Sequence, residues 1–167
     1  NITTRAFHVV LIAVPILIAL AIILRGDAQA VGSTTVYGLA LVTMLIFSAL
    51  FHLTTRPRMR RVFRSLDHTA ILCLIAATYT PFVLLSGADA RGLLVTLWIA
   101  ALSGAALRAF APDRLKLAAI ALALGMGWAG LIGGGALFAV LSTPVMVLIT
   151  IGGVLYTVGV AFCVWER

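Results

Sequence analysis

Six long apolar stretches, separated by short polar or glycine-rich breaks, run along the 167-residue chain. They fall at roughly 6–24, 33–53, 67–86, 92–110, 114–132 and 144–164. Each approaches the ~20 residues that an α-helix needs to cross ~30 Å of hydrocarbon. The pattern predicts an all-α, polytopic membrane helix bundle with six transmembrane helices. The breaks are short: "RGDAQAVG", an arginine-rich stretch, "SGADARG", "APDR" and a "GGGALFAVLS" region with blurred edges. No long linker, composition shift or internal repeat divides the chain, so residues 1–167 form a single bundle.

Small residues within these runs, among them Gly104, Gly125, Gly130, Gly152 and Gly153, let helix backbones approach closely, which is how membrane helices pack. Pro15 and Pro81 fall inside runs and are expected to kink them or free a backbone carbonyl.

Composition agrees with the pattern. Hydrophobic residues make up 63% of the chain and charged residues only 10%, with a mean hydropathy of +1.18. A soluble domain carries roughly 25% charged residues, so this chain has too few to cover a water-facing surface.

The net charge of +7 raises the question of nucleic acid. The placement of the charges answers it. Five arginines (Arg56, Arg58, Arg60, Arg61 and Arg64) sit in one break between apolar runs. With six crossings, Arg5, Arg108, Arg114, Lys116 and Arg167 share their side, against Arg25 and Arg91 opposite. This asymmetry is a topology signal that puts the N-terminus in the cytoplasm, and no nucleic-acid partner is expected. The two cysteines, Cys73 and Cys163, lie far apart inside predicted spans and read as packing residues.

Against this apolar background a few polar residues need a reason. Ser48 and His52 are one helical turn apart at the end of the second run, and Asp67 opens the third. The topology puts His52 and Asp67 at one membrane depth, at the cytoplasmic end. Ionisable residues within spans are costly and are functional candidates by default. A histidine and a carboxylate at equal depth can share a metal, relay protons or pair with each other. Zinc is a natural guest for such a site. The structural alternatives are that Asp67 caps the N-terminus of the third helix and that His52 lies at the interface and bonds to it. His8 reads as interfacial, and His68 as pointing to a different face from Asp67. Trp98, Trp128 and Trp165 read as packing or interface aromatics.

These residues also carry a resemblance. "SALFHL", the arginine stretch and "LDHTAILCLIAATYTPF" closely resemble the hemolysin III family, the bacterial branch of the progestin and adipoQ receptors that include the adiponectin receptors. "LGMGW" (residues 124–128) and "GGVLYTVGVAFCVWER" (residues 152–167) support the likeness, which runs from about Phe7 to Arg167.

The resemblance implies a seven-helix protein of the bacterial plasma membrane with a zinc site near its cytoplasmic face. It makes His52 a zinc ligand, Asp67 the carboxylate that holds the zinc-bound water, and Ser48 an accessory polar group. Two further ligands are expected from a His-x-x-x-His motif on a seventh helix, which this sequence does not include. Zn2+ is therefore expected in the full-length protein, whereas His52 and Asp67 alone would hold it weakly.

Three functions follow as expectations. The first is a zinc-dependent intramembrane hydrolase of a lipid amide or ester, as the related alkaline ceramidases are, with Asp67 as general base. The second is a non-enzymatic, receptor-like sensor or regulator of membrane lipid. The third, lysis of target membranes, fits a permanently inserted bundle least. Membrane lipid is the expected partner, and no pattern in the sequence sets an oligomeric state.

Overall fold

The computed structural model describes residues 27–110 and 116–165. The predicted 6–24 span, with His8 and Arg5, lies outside them. Six α-helices follow in order: α1 (Ala28–Leu53), α2 (Pro57–Leu85), α3 (Arg91–Phe110), α4 (Lys116–Gly133), the single turn α5 (Gly135–Phe138) and α6 (Thr143–Trp165). Four are long and apolar enough to cross a membrane, and the apolar part of α4, Leu117–Ile132, is shorter. The chain is an integral membrane helix bundle.

Local chemistry sets the helix ends. Asp27 caps α1, its carboxylate accepting the Ala30 N–H. Only residues 54–56 separate α1 from α2. Arg56 takes an extended conformation ahead of Pro57, which occupies the first turn of α2, where its missing N–H removes no helical bond. α2 ends at Leu85, and Gly87 follows with φ +74°, the left-handed conformation that glycine adopts freely beyond a helix C-terminus.

The arginine-rich stretch is therefore not a loop. From Pro57 onward it forms the first two turns of α2, a helix of 29 residues. Asp67 lies well inside this helix and does not cap it, because the N-cap position belongs to Arg56. A length count gives the physical reason. Residues 67–85 span about 28 Å at 1.5 Å per residue, enough to cross the hydrocarbon. The turns before Asp67 project past it toward water, where charge is tolerated and the helix can continue.

α1 and α2 form an antiparallel hairpin fastened near both ends. Gln29 Nε2 donates to the Leu84 carbonyl at 3.1 Å. At the other end the Arg60 guanidinium lies 5.4 Å from the centre of the Phe51 ring. Beyond the hairpin, α2, α3 and α4 share a core of Leu72, Ala76, Leu97, Ala101, Ala123 and Met126. Glycine and alanine permit the close approach: a Cβ on Gly104 would lie 2.7 Å from side-chain carbons of both Leu72 and Leu122.

Hydrogen bonds between side chains and neighbouring helices add to this contact. Tyr79 Oη donates to the Gly127 carbonyl at 2.9 Å and accepts the Gly130 N–H at 3.1 Å. Trp98 Nε1 donates to Thr80 Oγ1 at 3.3 Å, and Trp128 Nε1 to Thr157 Oγ1 at 3.0 Å. Both tryptophans are thus packing residues with satisfied donors. Pro81 leaves α2 unbroken, and Thr78 and Thr80 hydrogen-bond back to the Leu74 and Ala76 carbonyls.

Candidate functional site

The last turns of α1 carry Ser48 and His52. Four residues apart on a helix, they lie on neighbouring turns of one face. Ser48 is half-buried and His52 exposed. The His52 ring leans on Phe51, with centroids 4.9 Å apart and planes tilted by 57°. Because Phe51 also takes the Arg60 guanidinium, a phenyl ring, an imidazole and a guanidinium gather at this end of the hairpin.

Asp67 and its neighbours build a second polar group on α2. The Asp67 carboxylate is largely covered, and its Oδ2 lies 3.9 Å from His68 Nδ1. The expected divergence of these two side chains is not observed: consecutive positions on the helix lean toward one another. His68 Nδ1 also lies 2.6 Å from the Arg64 carbonyl oxygen. A carbonyl can only accept, so this nitrogen carries the proton, and Nε2 holds the lone pair in the neutral ring. Arg108, buried in the last turn of α3, stands near His68, and Ser65 Oγ donates to the Arg108 carbonyl at 3.4 Å.

The two groups stand at different levels. With Gln29 beside Leu84 and Phe51 beside Arg60, the antiparallel register sets His52 level with about Arg60 and Asp67 level with about Leu45. That separates His52 from Asp67 by roughly 10 Å along the hairpin axis. The expectation of equal depth assumed that α2 begins near Asp67. It begins at Pro57, which moves Asp67 deeper. Ser48, one turn in from His52, stands closer to the Asp67 level.

Zinc needs several donors converging on one point. Among the described residues no three histidine, cysteine, aspartate or glutamate side chains do so. The described part of the chain therefore does not by itself fit a zinc ion. It offers one exposed imidazole at His52 and a carboxylate–imidazole pair at Asp67 and His68.

Two of the concavities that adjoin the hairpin bear on the site. One, of about 440 Å³, lies between the end of α1 and the first turns of α2 and is walled by Phe51, Pro57, Arg60, Arg61 and Arg64. The other, of about 370 Å³, is mostly apolar and lies between α2, α4 and α6, with Thr78, Tyr79 and Tyr156 on its wall. The sequence reading singled out neither. The spacing of Pro57, Arg60, Arg61 and Arg64 was the available signal for the first, once that stretch is read as helix.

A family model described as "Haemolysin-III related" matches residues 1–167. The chain is 36% identical over 162 residues to a hemolysin-3 homolog of Bacillus subtilis (strain 168), covering 95% of this chain and 76% of that protein. It is 35% identical over 161 residues to hemolysin-3 of Bacillus cereus, covering 94% and 74% respectively. No solved structure matches it.

Proposed function

We propose that this chain, which belongs to the haemolysin-III related family, is a permanently inserted membrane protein that senses or regulates membrane lipid. Its working end is the α1–α2 end that carries Ser48, His52, Asp67 and His68. One observation carries the inserted state: the long helices turn apolar surface outward, and the residues at the α1–α2 end are the polar groups available to a lipid there. Of the apolar windows in α1 and α6, only 6% and 0% are buried against the rest of the described chain. Such surface is stable against lipid and costly against water.

The named relatives are hemolysins, but a soluble lysin would first have to hide these faces from water. We expect the protein to stay in the pellet when membranes are washed with alkaline carbonate. Release into the supernatant as a soluble species would overturn the reading.

A second reading is a zinc-dependent lipid amide or ester hydrolase. The one-turn spacing of Ser48 and His52, with the imidazole exposed, favours it. In that reading His52 is one ligand, the others being histidines on a further helix, with Ser48 one turn in from it and Asp67 about 10 Å deeper along the hairpin. Bound zinc would supply a water acidic enough to act as a nucleophile near neutral pH.

Either reading places the N-terminus and the α1–α2 connector in the cytoplasm, on the basic asymmetry of the sequence. A reporter active only outside the cytoplasm, fused within residues 54–56, should be silent. Strong activity there would invert the topology.

A further inference from the structure

We propose that the groove walled by Phe51, Pro57, Arg60, Arg61 and Arg64 is a phosphate-binding site that holds the headgroup of an anionic phospholipid. Pro57, Arg60, Arg61 and Arg64 follow the i, i+3, i+4, i+7 spacing of one helix face. That face meets the end of α1 and borders an open groove of about 440 Å³. Phe51 closes the α1 side and keeps the Arg60 guanidinium stacked over its ring.

Arg60 and Arg61 lie where the positive end of the helix dipole favours acids, and the first turn of α2 contains none. A bound anion offsets that penalty. Guanidinium forks match the oxygens of a phosphate, which a point charge does not.

Depth selects the source of that phosphate. If the hydrocarbon boundary lies near Asp67, Arg64 stands about 5 Å and Arg60 about 10 Å beyond it. The headgroup layer on each side of a bilayer is roughly 5–8 Å thick. Arg64 therefore stands within the headgroup layer, and Arg60 and Arg61 stand just beyond it, with side chains long enough to reach lipid phosphates. This placement depends neither on which leaflet faces the cytoplasm nor on the zinc reading.

The test is lipid binding to the purified full chain by native mass spectrometry, with phosphatidylglycerol and phosphatidylcholine as probes. Phosphatidylglycerol should bind at least about tenfold tighter. The triple variant R60Q/R61Q/R64Q should lose that preference, while Arg91→Gln at the far end of the bundle should keep it. The variant R60K/R61K/R64K retains the charge that sets topology and fold, and should still lose several-fold because lysine lacks the fork.

Equal binding of the two lipids, or an unchanged preference in the glutamine variant, would overturn the site. A lysine variant equal to the native chain would reduce the groove to diffuse charge and overturn it as well. Displacement of the lipid by millimolar inorganic phosphate would make the ligand a soluble anion and overturn the lipid assignment. Where the glutamine variant loses its helical circular dichroism, the lysine variant decides.

Discussion

Replacing Gly130 with leucine will destabilise the protein by about 1–3 kcal/mol, a large loss for one substitution in a membrane bundle. A Cβ at position 130 would lie 2.7 Å from the Tyr79 hydroxyl and 2.8 Å from Cε1 of its ring. Tyr79 cannot simply move away. Its hydroxyl donates to the Gly127 carbonyl and accepts the Gly130 N–H, so displacement breaks both bonds. Hydrogen bonds between membrane helices are worth on average ~0.6 kcal/mol each, and overpacking adds to their loss.

Gly125 is the matched control, since a Cβ there meets nothing within 4 Å. Unfolding in SDS followed by circular dichroism should separate Gly130→Leu clearly from the native chain and leave Gly125→Ala close to it. Tyr79→Ala should absorb part of the Gly130→Leu penalty, because the two residues are in contact. Equal midpoints for the native chain and Gly130→Leu would mean that α2 and α4 are not joined in this way.

The apolar runs located the described helices because membrane helices announce themselves by length and hydrophobicity. Their ends were less legible. Hydropathy ended the third run at the arginines, whereas Pro57 and the extended Arg56 determine where α2 begins. A helix that leaves the hydrocarbon loses its hydrophobic signal while keeping its hydrogen bonds. The glycine-rich region after α4 conceals the single turn α5 for a related reason, since four residues are too few to carry a periodicity.

Residue types and local spacing were legible in the sequence, and the geometry between helices was not. Ser48 and His52 were paired correctly on one helix because only the local period matters there. Placing Asp67 beside His52 required knowing how far α2 extends past the membrane, and that depended on the helix start. Arg108 and Ser65 were not singled out, because their meeting joins α3 to α2 across more than forty residues and has no local pattern. The hydrogen bond from His68 to the Arg64 carbonyl spans one turn and was available from spacing alone.

Metal content tests most directly whether the α1–α2 end contributes a functional ligand. His52 is one imidazole, and a catalytic zinc takes three protein ligands plus a water. The 167-residue chain, purified without chelators, should hold far less than one zinc. A form that continues after Arg167 into a helix with a His-x-x-x-His motif should hold about one. On the zinc reading, which makes His52 a ligand rather than an outer partner, His52→Ala in that form should lower zinc affinity by at least about a hundredfold. Elemental analysis of the three samples provides the measurement. Stoichiometric zinc in the 167-residue chain alone, or zinc retained after His52→Ala, would contradict the account.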